Sequence, residues 1–344
     1  MKIQPVILAG GNGCRVWPLS QKINPKQFIK YFDNLSSFQN TVLRNAHLGI
    51  PLIVANIVHK KIILEQLDEI NSSSKIIFEQ DQKNTAPCAI IASYYAKAQG
   101  FDTIALIPSD HYIENQKSYK KALIKSAKAA EKYKFSVIGI TPNCHNSNFG
   151  YIKTNYYDET DLYLASEFIE KPSKEIIKSF DMSQYFWNSG IYFFDINYVL
   201  ELATQFIPDT TAALSKAFPD NLSLENIVEL ERSLYRNLPS ISFDDAISVN
   251  LNSMALVKAH FKWSDLGSWE AIWNLDQRND DQNNIQGQVI TRNVTNSYIS
   301  SDAKQTVAIN LKDTIVVLKN GQLLIANKDG TGLIKEMLTE LEEA

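Results

Sequence analysis

Length, composition and charge exclude several classes of protein. The 344 residues suffice for about two domains with a substantial core. Hydrophobic residues make up 44% and charged residues 21%, an ordinary globular mixture that argues against general disorder and fibrous repeats. The formal charge is −4, and only six of the 34 cationic side chains are arginine. Such a chain has no general attraction for a polyanion, so nucleic acid is not an expected partner.

The sequence lacks the patterns typical of a membrane span, a secretory signal, a disulfide framework and a structural zinc site. No run reaches the 18 apolar residues of a membrane span, so no membrane partner is expected. The apolar stretch 5–9 is shorter than a secretory h-region, which predicts a cytoplasmic protein. Three scattered cysteines, Cys14, Cys88 and Cys144, predict reduced thiols rather than a disulfide framework or a structural zinc site.

Short apolar runs alternate with helical patterns from the first residue to about residue 140, which indicates βαβ units and a parallel α/β sheet. The runs lack strict polar alternation, so both faces of the sheet should be covered. The five predicted strands are Ile3 to Leu8, Leu52 to Ala55, Lys75 to Phe78, Thr103 to Ile107 and Ser136 to Ile140.

The pattern is less regular between residues 149 and 198 and predicts an inserted lobe. Its strands would be Leu162 to Glu170 and Gly190 to Phe194, with a helix from Ser173 between them. Residues 196–235 are typical of helix.

A polar stretch without aliphatic residues, 277–284, predicts a domain boundary. We therefore expect a catalytic domain at 1–276 and a small β-rich domain at 285–344, which ends in a helix from Thr331 to Leu341. Asn320-Gly321 predicts a type I′ hairpin between two of its strands, 314–318 and 322–326.

A glycine-rich turn follows the first strand directly, with the sequence Leu8-Ala9-Gly10-Gly11-Asn12-Gly13-Cys14-Arg15. Absent side chains let backbone N–H groups approach a phosphate, so the turn is a candidate nucleotide site. It lacks the Lys-Ser/Thr of a P-loop and the third glycine of a dinucleotide fingerprint, which disfavours kinase and dehydrogenase interpretations.

Further motifs make the chain resemble the sugar-1-phosphate nucleotidyltransferases, and within them the mannose-1-phosphate guanylyltransferase branch. The glycine turn continues to Ser20 and is followed by Pro25-Lys26-Gln27-Phe28. The other motifs, in the family's order, are Asn84-Thr85-Ala86-Pro87, Pro108-Ser109-Asp110-His111, Gly150-Tyr151-Ile152, Phe168-Ile169-Glu170-Lys171-Pro172, Trp187-Asn188-Ser189-Gly190 and the segment Trp263 to Trp269. The resemblance implies a Rossmann-like mixed-sheet nucleotidyltransferase domain and a β-helix-like C-terminal domain.

The implied reaction brings two polyanions together, so it needs cations and carboxylates at defined places. Arg15 and Lys26 match the family's loop cations, and both suit phosphate oxygens. Asp110 follows a predicted parallel strand at its carboxyl end, where α/β sheets bind ligands. By resemblance, Asp110 and Asp265 share one Mg²⁺, an ion that takes a few carboxylates together with phosphate oxygens and water.

The resemblance also assigns substrate contacts. The nucleotide would lie against the turn and two further motifs, at Leu8, Ala9, Gly10, Gly11, Gly13, Asn84, Ala86, Pro87 and Ser109. The sugar phosphate would contact Gly150, Glu170, Lys171 and Asn188. Pro172 disfavours helix at Lys171 and predicts an extended backbone there. The segment around Asp244 also echoes the family, and Asp244 is a candidate for shaping the sugar pocket.

We therefore expect a GTP-dependent enzyme that converts mannose 1-phosphate to GDP-mannose and pyrophosphate with Mg²⁺. One alternative is another NDP-sugar pyrophosphorylase that uses glucose 1-phosphate with dTTP or UTP, since every motif would be kept. The other is a non-catalytic subunit that senses the nucleotide sugar. The guanine preference comes from the branch resemblance alone. Oligomeric state is left open, with a homo-oligomer such as a dimer compatible with the family.

Overall fold

The computed structural model describes residues 1–157, 161–217, 226–251 and 253–343. The chain forms two compact units, each built from separate stretches of sequence. The sheet unit consists of Met1–Gly11, Gln39–Ser109 and Ile113–Trp263, and the C-terminal unit consists of Asn12–Phe38, Asp110–Tyr112 and Ser264–Ala344. The domain division expected between residues 276 and 285 stays a prediction.

Eighteen strands are found in the described residues. Those that begin before residue 140 are β1 Ile3–Leu8, β2 Leu52–Asn56, β3 Lys75–Glu79, β4 Thr103–Pro108, β5 Tyr112–Ile113 and β6 Phe135–Ile140. The next six are β7 Tyr151–Tyr157, β8 Leu162–Ile169, β9 Tyr185–Asp195, β10 Ile227–Glu229, β11 Met254–Lys258 and β12 Trp263–Ser264. The last six are β13 Asn284–Gln286, β14 Val289–Arg292, β15 Tyr298–Ser301, β16 Thr306–Ile309, β17 Thr314–Lys319 and β18 Gln322–Asn327. The five strands predicted before residue 140 are confirmed to within one residue.

Eleven α-helices accompany these strands in the described part of the chain. They are α1 Ser37–Asn45, α2 Lys60–Glu69, α3 Thr85–Ala98, α4 Gln116–Tyr133, α5 Lys174–Lys178, α6 Ile196–Phe206, α7 Pro208–Leu214, α8 Arg232–Tyr235, α9 Phe243–Ala246, α10 Trp269–Leu275 and α11 Ile334–Glu343. Helix α11 confirms the predicted terminal helix, although it begins three residues later because a 3₁₀ segment, Lys328–Leu333, precedes it.

The sheet unit is organised around one ten-stranded mixed sheet in the order β10-β3-β2-β1-β4-β9-β6-β11-β8-β7. Strands β10, β3, β2, β1 and β4 run parallel. Strand β9 is antiparallel to both of its main neighbours, β4 and β6. This mixed α/β arrangement confirms the expected fold class.

Both faces of this sheet are covered by helices, as the continuous apolar runs predict. On one face, Ile104 and Leu106 pack with buried residues of α3 and α6. The alternate residues of the same strand, Ala105 and Ile107, pack with buried residues of α4 on the other face. Successive side chains of a strand point to opposite faces, so each central strand contributes to two hydrophobic cores.

The expected inserted lobe between residues 149 and 198 is wrong. Strand β9 lies in the middle of the main sheet, and β7 and β8 extend the same sheet at one end. The reason lies in the side chains of β9: six are aromatic, at 185–187 and 192–194, and all six are buried. A strand with apolar side chains on both faces is stable only where both faces of the sheet are covered.

The helical interpretation of residues 196–235 is right only in part. Helices α6, α7 and α8 lie within it, but β10 joins the edge of the main sheet beside β3. Residues 218–225 lie outside the described residues.

The C-terminal unit contains the expected β-helix-like region. Strands β13, β15 and β17 stack in parallel as one sheet, and β14 and β16 stack in parallel as another. Residues 17 apart repeat the same corner: Asn293 donates to Asn310, and Asn296 donates to Asp313. All four have positive φ, which asparagine and aspartate tolerate better than most residues.

The predicted hairpin is confirmed. Strands β17 and β18 pair antiparallel, with Lys319 opposite Gln322. Asn320 has φ 50° and Gly321 has φ 78°, and two positive φ values are what a type I′ turn requires.

Candidate active site

The first part of the glycine turn belongs to the sheet unit, where backbone hydrogen bonds hold it. Ser109 N–H donates to the carbonyl of Leu8 at 3.1 Å, and Ala9 N–H donates to the carbonyl of Val54 at 2.8 Å. These bonds extend the sheet ladders beyond β1, so they fix where the turn begins. They also commit the Ala9 amide to the fold rather than to a ligand.

Gly10 lies against the Glu79 carboxyl group where the turn leaves the sheet. A Cβ at this position would lie 2.8 Å from Oε1 of Glu79. Gln82 Nε2 donates to the Gly10 carbonyl at 2.7 Å. By contrast, Gly11 is exposed, and a Cβ added there would have no heavy atom within 4 Å.

Glu79 is a buried carboxyl that the sequence reasoning missed. It is 2% exposed, and burial raises its pKa to about 7, against smaller lowering effects of the neighbouring Cys88 thiol and Tyr235 hydroxyl. Cys88 Sγ donates to Glu79 Oε2 at 3.1 Å. A signal was present, because Glu79 ends a parallel strand in the same way that Asp110 follows one.

The other predicted nucleotide residues differ in accessibility. Asn84 is exposed, has φ 66°, and caps α3 by accepting from Thr85 N–H at 2.9 Å. Ala86 and Pro87 are buried in the first turn of α3, and the Ala86 amide donates to the carbonyl of Ile241. Ser109 is 2% exposed. Within this set, Asn84 offers the accessible polar side chain.

The C-terminal unit brings together the predicted cation and both predicted carboxylate residues. Lys26 Nζ lies 2.9 Å from Asp110 Oδ2 and donates to the backbone carbonyl of Asp265 at 2.6 Å. Burial alone would raise the pKa of Asp110, but the nearby Lys26 ammonium and His111 hold it below its ordinary value. Three motifs separated by up to 239 positions in sequence therefore meet at one ammonium group.

Two glycines shape this cluster. Gly13 has φ 46°, and a Cβ there would lie 2.6 Å from Lys26 Cγ and 2.8 Å from Lys26 N. Gly267 N–H donates to Asp265 Oδ1 at 3.1 Å, and a Cβ on Gly267 would lie 2.3 Å from Asp265 Oδ2. The glycines thus allow Lys26 and the Asp265 carboxylate to lie against backbone. Arg15 is exposed in the 3₁₀ segment Cys14–Val16.

The four predicted sugar-phosphate residues lie together in the sheet unit. Asn188 N–H donates to the carbonyl of Gly150 at 2.8 Å. A Cβ on Gly150 would lie 2.7 Å from Glu170 Oε2, so glycine lets this carboxylate lie against the backbone. Lys171 Nζ pairs with Glu170 Oε1 at 2.5 Å.

The extended backbone expected at Lys171 is wrong. Its φ is 45°, in the left-handed region, a conformation that costs an L-residue roughly 1–2 kcal/mol. Pro172 disfavours right-handed helix at the preceding residue, and the chain satisfies that restriction with a left-handed turn instead of a strand. Strain of this kind clusters at ligand sites.

Asp244 contacts one member of this group, Asn188. Its Oδ1 accepts from Asn188 Nδ2 at 3.2 Å and from the hydroxyl of Tyr192. Burial raises the pKa of Asp244 to about 6. Tyr192 was not anticipated, because its position within a strongly aromatic strand is typical of a core residue.

No group of three or more His, Cys, Asp or Glu side chains is placed to hold a metal ion among the described residues. Across the same residues, no helix has the length and apolar character needed to cross a membrane.

Comparisons with known proteins agree with this architecture. Residues 4–282 match the family model described as Nucleotidyl transferase. A protein of Escherichia coli named mannose-1-phosphate guanylyltransferase is 29% identical over 98% of this chain and 75% of its own length. A Salmonella montevideo protein of the same name is 31% identical over 99% of this chain and 74% of its own length.

A solved structure shares the fold. A Thermus thermophilus protein, described as a mannose-1-phosphate geranyltransferase, superposes with a TM-score of 0.86 at 23% identity, covering 99% of this chain and all of its own. The family match and the near-complete similarity to the curated relatives establish that the chain belongs to the nucleotidyl transferase family, in its mannose-1-phosphate guanylyltransferase branch.

Proposed function

We propose that the protein transfers GMP from GTP to α-D-mannose 1-phosphate with Mg²⁺, giving GDP-mannose and pyrophosphate. The similarity of about 30% to relatives named for this activity, over nearly the whole chain, supports the choice of substrates. The meeting of Lys26, Asp110 and Asp265 in one unit is the structural observation that carries the catalytic part.

The reaction is an in-line displacement. An oxygen of the sugar phosphate attacks the α-phosphorus of GTP. The bond between that phosphorus and the oxygen leading to the β-phosphate breaks, and its electron pair leaves with pyrophosphate. No covalent bond to the protein is needed, so catalysis depends on positioning and on neutralising the developing negative charge.

Lys26 and Arg15 are the cations that we assign to the phosphates. The Lys26 ammonium is bound by Asp110 and by the Asp265 carbonyl. These contacts fix the ammonium beside the backbone of Gly13, in the second half of the glycine turn. Arg15 is exposed and offers a planar set of donors suited to phosphate oxygens.

Nucleotidyltransferases of this family generally use divalent metal ions. The oxygen donors of Asp110 and Asp265 fit Mg²⁺, which takes one or two carboxylates and fills its remaining positions with phosphate oxygens and water. When bound, the ion would supply Lewis-acid neutralisation of phosphate charge.

On the substrate side, we assign the exposed backbone at Gly11 and the Asn84 side chain to the nucleotide. The predicted contacts at Leu8, Ala9, Ala86, Pro87 and Ser109 then serve by fixing the backbone around them. We assign Glu170 and Asn188 to sugar hydroxyls and Lys171 to the sugar's phosphate, because a carboxylate accepts, an amide does both, and an ammonium pairs with phosphate. A cytoplasmic location and a dimer are included in this proposal as expectations.

The test is a substrate panel. Purified protein is incubated with Mg²⁺, each of GTP, dTTP, UTP and ATP, and either mannose or glucose 1-phosphate, while pyrophosphate is measured. We expect the pair GTP and mannose 1-phosphate to give the highest kcat/KM, and chelation of Mg²⁺ to stop the reaction. A higher kcat/KM for another pair would replace the substrate assignment. Nucleotide-sugar binding without turnover of any pair would favour the sensing subunit.

Two aspartate variants test the carboxylate role. Asp265→Asn should lower kcat by about a hundredfold or more, since a preorganised electrostatic contact is worth that much. Asp280 is exposed in the same C-terminal unit, so Asp280→Asn is the matched control and should keep the wild-type rate. Equal rates for wild type and both variants would remove Asp265 from the mechanism.

A further inference from the structure

Asn188 has an amide whose orientation is dictated by its partners. Its Oδ1 accepts from Gly190 N–H at 2.8 Å, and its Nδ2 donates to Asp244 Oδ1 at 3.2 Å. A backbone N–H can only donate and a carboxylate can only accept, so exchanging the amide oxygen and nitrogen would break both bonds. The second Nδ2 hydrogen is not engaged by either partner.

Asp244 is itself held from the strand that carries Asn188. It lies on α9, and Tyr192, a buried residue of β9, donates its hydroxyl to the same Oδ1 that Asn188 uses. Asn188 and Tyr192 are therefore joined through one carboxylate oxygen. The carboxylate is half-buried, where an ionised group is tolerated only if donors of this kind surround it.

The surrounding charges tie this network to the sugar-phosphate residues. Glu170 raises the pKa of Asp244 and Lys171 lowers it, which places Asp244 within electrostatic reach of both. Gly150 connects the same residues, since its carbonyl accepts from Asn188 N–H and its missing side chain makes room for Glu170. The whole group lies in the sheet unit.

We propose that Asp244 is a positioning residue for the sugar phosphate: with Tyr192 it locks the Asn188 amide so that one Nδ2 hydrogen is kept for a sugar oxygen. The proposal rests on the sugar-binding role assigned to Asn188 above. It also gives the two residues different hydrogen-bonding roles, since Glu170 accepts from sugar hydroxyls and Asn188 supplies a donor. A ligand with an oxygen acceptor beside hydroxyl donors, as in a hexose, satisfies both.

Ionisation of Asp244 should therefore affect sugar binding. Its pKa of about 6 reflects burial first, then opposing effects from the Tyr192 hydroxyl, Glu170 and Lys171. The Ser248 side chain also lies near the Tyr192 hydroxyl. As pH falls through this value the carboxylate becomes neutral and a weaker acceptor, so KM for the sugar phosphate should rise. The substrate's own phosphate titrates near pH 6 as well, so only the difference between wild type and a variant reports Asp244.

The test compares KM for each substrate in Asp244→Ala and Asp244→Asn. A lost charge-assisted hydrogen bond predicts a rise of about 10- to 100-fold in KM for the sugar phosphate in Asp244→Ala, with KM for the nucleotide and kcat within about twofold of wild type. Asp244→Asn keeps an acceptor for Asn188 and Tyr192, so it should recover part of the affinity. Its KM profile should lack the extra rise that we expect near pH 6 for wild type.

Asp245 provides the matched control. It is the next residue on α9, is exposed, and accepts from Ser242 Oγ rather than from the network, so Asp245→Asn should leave both KM values unchanged. Equal rises in KM for both substrates, or an unchanged KM for the sugar phosphate in Asp244→Ala, would overturn the positioning role.

Calorimetric titration measures sugar-phosphate binding without turnover, so it separates the positioning role of Asp244 from the proposed function. The ligands are mannose 1-phosphate and the best sugar 1-phosphate from the panel. Failure of wild type to turn over GTP with mannose 1-phosphate would count against the proposed function alone. Wild type and Asp244→Ala binding their sugar phosphate equally well would count against Asp244 alone.

Discussion

Replacing Gly13 by alanine tests the close approach between the glycine turn and Lys26. The residue has φ 46°, and its Cβ would lie 2.6 Å from Lys26 Cγ and 2.8 Å from the Lys26 backbone nitrogen. The left-handed conformation costs alanine about 1–2 kcal/mol. The contact adds about 1–3 kcal/mol, as overpacking does elsewhere, because a backbone atom cannot swing aside. The expected loss of stability is therefore about 2–5 kcal/mol.

The displacement should also reach the active site. Lys26 binds Asp110 at 2.9 Å, and a shift of this kind in a positioning group can lower turnover by about a hundredfold. Gly11→Ala is the matched control for stability, since that position has open space around its Cβ and no left-handed φ. A glycine to alanine change at such a site is neutral or stabilises by up to about 1 kcal/mol.

The assay is urea unfolding followed by the transition midpoint, together with pyrophosphate release at saturating substrates. We expect Gly13→Ala to unfold at lower urea with a similar slope and to lose turnover, while Gly11→Ala unfolds at or above the wild-type midpoint. If both variants share the wild-type midpoint and Gly13→Ala keeps its kcat, the steric reasoning is refuted.

Three further changes test separate parts of the structure. Burial raises the pKa of Glu79 to about 7, so the free energy of unfolding should fall as pH rises from about 4.5 to 7. Glu79→Gln should remove up to about 3 kcal/mol of that loss, measured from urea midpoints at pH 5 and 8. The same change of midpoint between the two pH values in wild type and variant would contradict this prediction. Gly321→Ala in the hairpin should cost about 1 kcal/mol with unchanged kcat, because φ is 78° and nothing lies within 4 Å; a lowered kcat would show coupling to catalysis. Lys328 Nζ lies 3.0 Å from the centroid of the Trp273 ring and donates to Asn296 Oδ1 at 2.9 Å. Lys328→Met should therefore lower the free energy of unfolding by about 1–3 kcal/mol in the same assay. An unchanged midpoint would show that these contacts do not stabilise the protein.

The parallel strands near the N-terminus were predictable because each is buried on both faces and leaves a continuous apolar run. The order of strands in the sheet was not, since β9 comes between β4 and β6 in space although it follows both in sequence. Periodicity reports whether a strand is buried, but it does not name the neighbours that bury it. That is why residues 149–198 suggested a lobe and turned out to complete the sheet.

The β-helix-like repeat left a signal that could have been recognised. Asn293 and Asn310 are 17 residues apart, as are Asn296 and Asp313. These are residues that tolerate positive φ, and their recurrence at one spacing indicates a corner that returns once per turn of a stacked structure. Lys171 left no such signal, because the restriction imposed by Pro172 excludes one conformation without choosing among the rest.

The same distinction applies to the candidate site: residue types indicate which side chains suit the chemistry, and the fold shows which of them lie together. Lys26, Asp110 and Asp265 could be selected because their motifs suit phosphate chemistry, but their convergence depends on long-range contacts. In the structure, Lys26 Nζ is bound by a side chain from one motif and by a backbone carbonyl from another. A substitution at Lys26 therefore removes a phosphate-binding charge and also takes away the cation closest to Asp110, leaving His111 beside it, so the pKa of Asp110 rises. Lys26→Met should accordingly lower kcat more at mildly acidic pH than at pH 8, since Asp110 would then bind a proton more readily, and a loss of kcat that is the same at both pH values would show that the ion pair has no part in keeping Asp110 ionised.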